Sequence, residues 1–200
     1  MSLAPTIIDL MRHGEPEGGQ CYRGALDPPL TTLGLQQMQA QVPEHIDWQQ
    51  ILTSPLKRCA DFAEQLCRET GLSLAYVPAL REISFGDWEG KTAEQLTQEN
   101  QAAFFAFYDD PVRNTPPNAE SLLLFQQRVL AAWQQVIKCY AHRRILITTH
   151  GGTIRIILAS ILQQPLDRLF EIDVPYASIH RIQVDGEQIR LMSSASSLHR

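Results

Sequence analysis

Two short apolar runs, far apart along the chain, end in the same way. Ile7-Ile8-Asp9-Leu10-Met11 leads into Arg12-His13-Gly14, and Ile145-Leu146-Ile147-Thr148-Thr149 leads into His150-Gly151-Gly152. Runs of this length, rich in β-branched residues, read as buried strands. Each delivers an imidazole to the carboxyl end of a strand, followed by a glycine that lets the backbone turn close to a ligand. In open α/β sheets that edge is where ligands bind. Two such histidines at neighbouring strand ends would meet across one pocket. Taken alone, either run is equally a strand entering a polar loop.

The intervening pattern supplies the other elements. Residues 14–30 form a loop rich in glycine and proline, of a length that is usually functional. Thr31 or Thr32 caps a helix running to about residue 42. Ile51-Leu52-Thr53 is a short strand. Ser54 followed by Pro55 predicts an N-cap with proline at the first helical position, and Gly71 closes that helix. Leu74 to Val77 gives another strand. Thr92 and Gln95 make a capping box, opening a helix that continues or re-forms through Tyr108. From Ser121 to Tyr140, Leu122, Phe125, Val129, Trp133 and Val136 recur at helical spacing, with their aromatics as core. A helix over Gly152–Leu162 follows the second histidine. Strands over Ser178–Val184 and Gln188–Met192 flank a turn at Gly186, and residues 193–200 read as frayed. The alternation predicts a single α/β domain over residues 1–200, three layers α/β/α around a mostly parallel central sheet with right-handed crossovers.

Composition narrows the partners. A net charge of -5 argues against nucleic acid or an anionic membrane. Lysine occurs only at Lys57, Lys91 and Lys138, so arginine carries nearly all the positive charge, and guanidinium matches phosphate oxygens in a bidentate fork. The four cysteines show no metal-ligand spacing. Cys59 and Cys67, on one predicted helix, stand about 12 Å apart, too far for a disulfide. Reduced thiols imply a cytoplasmic protein. No signal peptide or membrane span is expected, and no metal or cofactor. Oligomeric state is not written in any pattern, and a homodimer stays open.

The run Leu10-Met11-Arg12-His13-Gly14-Glu15 resembles the opening motif of the histidine phosphatase superfamily, the phosphoglycerate mutase-like fold. Four further segments follow in that family's order: Asp27-Pro28-Pro29-Leu30-Thr31, Thr53-Ser54-Pro55-Leu56-Lys57-Arg58, Leu80-Arg81-Glu82 through Gly90, and Thr149-His150-Gly151-Gly152. The resemblance implies a phosphatase working through a phosphohistidine at His13. It implies Arg12 and Arg58 as a charge clamp, His150 and Gly151 as phosphate-binding groups, and Glu82 as general acid. As general acid Glu82 must hold a proton, through burial or a dianionic phosphate nearby. Asp87 and Glu89 are alternatives in the same segment, Glu89 reading better as a loop carboxylate bound to backbone N–H groups, and Glu15 as structural.

Many family members carry asparagine six residues after the nucleophile, where this chain has Gly19. The segment from Gly14 to Gly19 with Tyr22-Arg23-Gly24 instead resembles α-ribazole-5′-phosphate phosphatases of cobalamin synthesis, and implies that Arg23 reaches the substrate's phosphate or sugar. Glu120-Ser121 resembles a Gly-Glu-Ser element of the family, but Asn118 and Ala119 replace the usual glycines. The implied substrate is a small phosphomonoester. Alternatives are a broad-specificity acid or sugar phosphatase, a protein phosphohistidine or phosphotyrosine phosphatase, a phosphoglycerate mutase, disfavoured by the short chain, and a catalytically dead binding module, disfavoured because no pocket residue is lost.

Overall fold

The computed structural model describes residues 4–195. Among the described residues six strands form one sheet: β1 (Thr6–Arg12), β2 (Gln50–Thr53), β3 (Leu74–Tyr76), β4 (Arg144–Thr149), β5 (Ile179–Asp185) and β6 (Gln188–Ala195). Their order is β3-β2-β4-β1-β5-β6. The first four are parallel, and β5 and β6 extend the β1 side as an antiparallel pair. The α-helices of the described residues are α1 (Thr32–Gln39), α2 (Lys57–Thr70), α3 (Ala93–Asp109), α4 (Leu122–Cys139) and α5 (Gly151–Leu162).

Successive strand residues point to opposite faces, and the core divides accordingly. Ile8, Leu10, Leu52, Ile145 and Ile147 pack against Phe125, Val129 and Trp133 of α4 and the apolar face of α5. Met11, Ile51 and Leu146 pack on the other face against Met38 of α1 and Phe62, Ala63 and Leu66 of α2. Three layers follow from this alternation. The crossovers then diverge between two adjacent parallel strands: β1 hands on to α1 on one face, and β4 to α5 on the other. That makes the β1/β4 edge a topological switch point, the place where open α/β sheets bind ligands. Arg12 lies directly opposite Thr149 there, and the N–H of His13 donates to the Thr149 carbonyl at 2.9 Å.

Three boundaries differ from expectation by more than one residue. Helix α1 stops at Gln39, because Val42 precedes Pro43 and that position disfavours the helical region. Helix α2 begins at Lys57 with Leu56 as its N-cap, not at Ser54. Ser54 is drawn away to His150, and Asp27 from the preceding loop caps the helix instead, accepting from the Lys57 N–H at 2.7 Å. Strand β6 runs on to Ala195 by pairing with β5, so part of the expected fray is ladder; residues 196–200 lie outside the described residues. The capping box at Thr92 and Gln95 is present. Helix α3 breaks at Asn100 and re-forms, with the Asn100 side chain accepting from the Ala103 N–H.

Candidate active site

His13 sits at the switch point, almost fully buried. Its Nδ1 lies 2.8 Å from the Gly14 carbonyl. A carbonyl only accepts, so Nδ1 carries the proton and Nε2 keeps its lone pair. Burial, reinforced by the Arg12 and Arg58 guanidiniums, holds the imidazole well below the usual histidine range, which favours the neutral ring. Gly14 is needed for packing: a Cβ there would run into the backbone of Gly34 in α1.

Arg12 stacks 4.1 Å over the Tyr176 ring and donates to the Val174 carbonyl at 2.6 Å. Its buried Nε has no hydrogen-bond partner among the described residues. Arg58, in the first turn of α2, is fully buried. It donates to the carbonyls of Leu26 at 2.7 Å and Gly24 at 3.0 Å, and through Nε to His150 Nδ1 at 3.2 Å. No carboxylate pairs with it within 4.0 Å among the described residues. A buried, unpaired guanidinium is costly unless an anion completes it.

The His13 and His150 rings meet edge to face, 5.3 Å between centroids. Because Arg58 can only donate, His150 Nδ1 accepts and Nε2–H points to Ser54 Oγ at 2.7 Å. Burial, with Arg58 and His13 beside it, holds this imidazole below its usual range too. Both its nitrogens are thus engaged within the protein, and it stands behind the cavity wall that His13, Arg12, Arg58 and Gly151 form.

That wall belongs to a cavity of about 700 Å³. Glu82 lines it, its carboxylate accepting from the N–H groups of Gly152 at 3.0 Å and Ile83 at 3.1 Å. A Cβ on Gly152 would collide with that carboxylate, so glycine here makes room for Glu82. Beyond the cationic end the lining turns aromatic, with Tyr22, Phe85, Phe107, Phe125 and Phe170.

Comparison with known proteins fits this arrangement. Residues 8–196 match the histidine phosphatase superfamily, branch 1. The chain belongs to that superfamily. A histidine phosphatase relative from Hydrogenobacter thermophilus, with phosphoserine phosphatase in its name, is 30% identical over 187 residues, 92% of each chain. The adenosylcobalamin/alpha-ribazole phosphatase of Escherichia coli is 27% identical over 191 residues, 92% of this chain and 94% of that one. The crystal structure of the alpha-ribazole phosphatase from Shigella flexneri superposes with a TM-score of 0.84 at 27% identity, covering 95% of this chain and 96% of the other.

Within this histidine phosphatase, Arg12, His13, Arg58, Glu82, Gly151 and Arg23 all line one cavity. Arg23 does so at the loop, its guanidinium tied to the carbonyls of Glu17 and Gly19. Glu89 is a loop brace, accepting from the N–H groups of Ala25, Leu26 and Phe85. Asp87 is held by Asn118. Glu120 does not line the large cavity; it pairs with Arg128. Sequence reasoning missed Arg155 and Tyr176. Arg155 donates Nε to the Ile172 carbonyl at 2.9 Å, and its terminal nitrogens have no protein acceptor among the described residues. An arginine one helical turn beyond Gly151 was the available signal, since residues four apart share a helix face.

Proposed function

We propose that this histidine phosphatase hydrolyses a small phosphomonoester through a phosphohistidine on His13. The observation that carries this reading is the neutral, Nδ1-tethered imidazole whose Nε2 lone pair is left for the cavity, between two guanidiniums. Arg12 and Arg58 neutralise the equatorial phosphoryl oxygens, Gly151 at the start of α5 adds the positive end of a helix, and His150 holds Arg58. His13 Nε2 bonds to phosphorus as the ester P–O bond breaks, and Glu82 gives its proton to the departing alkoxide. Water then attacks phosphorus, Glu82 takes its proton, and the P–N bond returns its electrons to the imidazole. Metal is not part of this scheme. A cytoplasmic setting accords with four unbridged cysteines.

For the substrate we take α-ribazole 5′-phosphate as first candidate. Two relatives are named for that activity, and a cavity several times the size of a phosphate, with aromatic walls, suits a flat apolar leaving group. Arg23 would meet its sugar. The phosphoserine name of another relative keeps a small polar ester as the second reading. The test is kcat/KM on α-ribazole 5′-phosphate, phosphoserine and a phosphotyrosine peptide. The first is expected to lead by at least about tenfold, roughly the 1.4 kcal/mol one buried ring supplies; preference for either other ester overturns the substrate assignment, and absence of all turnover overturns the enzyme.

A further inference from the structure

Behind the cavity another arginine uses every donor it has. Arg128 of α4 offers five N–H groups. Its Nε and one Nη2 hydrogen grip the Glu120 carboxylate side-on, both at 2.7 Å. Its Nη1 reaches the carbonyls of Ala79 at 2.8 Å and Arg81 at 2.9 Å, and the remaining Nη2 hydrogen reaches the carbonyl of Glu82 itself at 3.1 Å. The guanidinium also lies 4.8 Å over the Phe125 ring, and both members of the ion pair are largely withdrawn from water, with side chains 17% and 16% exposed. Neither residue lines the active cavity.

The segment so gripped, residues 79–82, contains only a single 3₁₀ turn, Pro78–Leu80. It has no strand ladder to fix it; besides Arg128, the Thr149 hydroxyl holds the Leu80 carbonyl at 2.7 Å and the Thr153 hydroxyl the Arg81 carbonyl at 3.2 Å, which leaves the Glu82 carbonyl to Arg128. The Glu82 side chain must meet a leaving oxygen within hydrogen-bond reach. We infer that the Glu120–Arg128 pair is a positioning device for Glu82: Arg128 fixes the backbone from which the acid projects, and Glu120 fixes Arg128. The carboxylate's own bonds, to Ile83 and Gly152, set its direction; the clamp sets its origin. A planar fork with five donors is required, so lysine, a point charge with three, cannot substitute. This inference rests on the reading of Glu82 as proton donor.

The test compares Glu82→Gln, Arg128→Lys and Glu120→Gln on p-nitrophenyl phosphate and on an alkyl phosphate such as glycerol phosphate. A misplaced acid matters only where the leaving group needs a proton. Arg128→Lys is expected to lose about 10- to 100-fold in kcat on the alkyl ester and no more than about threefold on p-nitrophenyl phosphate, with Glu120→Gln following in the same direction by less. Equal losses on both esters, or none, in a folded Arg128→Lys protein while Glu82→Gln remains selective overturn the clamp alone. A Glu82→Gln profile flat across leaving groups removes the proton donor and the clamp with it. Should Arg128→Lys fail to fold, Glu120→Gln decides, because it keeps every Arg128 bond to the gripped carbonyls while weakening their anchor.

Discussion

At the scale of single residues, the proposed mechanism depends on His13 staying neutral. Its neutrality has a consequence for stability as well as rate. In the unfolded chain the imidazole protonates near the usual value of about 6.5, whereas burial beside Arg12 and Arg58 keeps the folded form neutral well below that. The unfolded state then binds more protons, so stability contributed at neutral pH is lost as pH falls below about 6.5. Urea midpoints at pH 7.5 and 5.5 should therefore drop on acidification, and drop less in His13→Gln; a wild-type midpoint that rises, or an unchanged difference in the variant, contradicts this. Phosphorylation of the enzyme should likewise not fail as pH passes 6.5. A second prediction concerns Gly152. Adding a methyl forces Glu82 aside, so Gly152→Ala should lower kcat on alkyl phosphates about tenfold or more, read by steady-state rates; an unchanged rate means the carboxylate has room to spare. His13, Arg12 and Gly151 were legible in the sequence because local motifs place them at strand ends. Arg155 was not, because its entry into the cavity depends on the Ile172 carbonyl, brought up by a segment far along the chain.

Elements are held by contacts that no periodicity records. In β1, Asp9 is fully buried among apolar neighbours. It accepts from Trp48 Nε1 at 2.8 Å and from both Nε and Nη2 of Arg181 in β5 at 2.8 Å each. The pair joins β1 to its antiparallel neighbour and to the chain entering β2. Asp9→Ala strands the buried indole N–H, while half-exposed Arg181 still finds water, so the loss falls mainly on the indole: about 2–3 kcal/mol, measured by urea denaturation, with kcat unaffected. A loss below about 0.5 kcal/mol would show the triad to be ornamental. The start of α2 carries the same lesson. Ser54-Pro55 reads as a helix start by every local rule, yet Ser54 binds His150 and Asp27 supplies the cap from across the loop. The sequence carries the residues of that exchange but not the tertiary competition that decides it. Where propensity and packing agree, as along α4 and at the Thr92 capping box, the expected elements appear.

At the scale of the molecule, the described strands, helices and loops bring residues 12, 13, 58, 82 and 151 to one cavity. The order of the fold's strands, with β4 inserted between β1 and β2, was not legible, because strand–helix alternation gives a parallel sheet without its order. Among the described residues no cluster of three His, Cys, Asp or Glu side chains is arranged to hold a metal, and none of the described helices is long and apolar enough to cross a membrane. The proposed histidine mechanism uses no divalent cation, so turnover is expected to survive exhaustive dialysis against EDTA, and its loss with recovery on adding a divalent cation would reveal a site of different chemistry. The most direct test of the central claim is chemical trapping. Enzyme mixed with substrate, quenched in base and digested for mass spectrometry, should yield one acid-labile phosphoryl group on the peptide bearing His13, absent from His13→Ala. A phosphoryl group on any other residue, or normal turnover by His13→Ala, would contradict it.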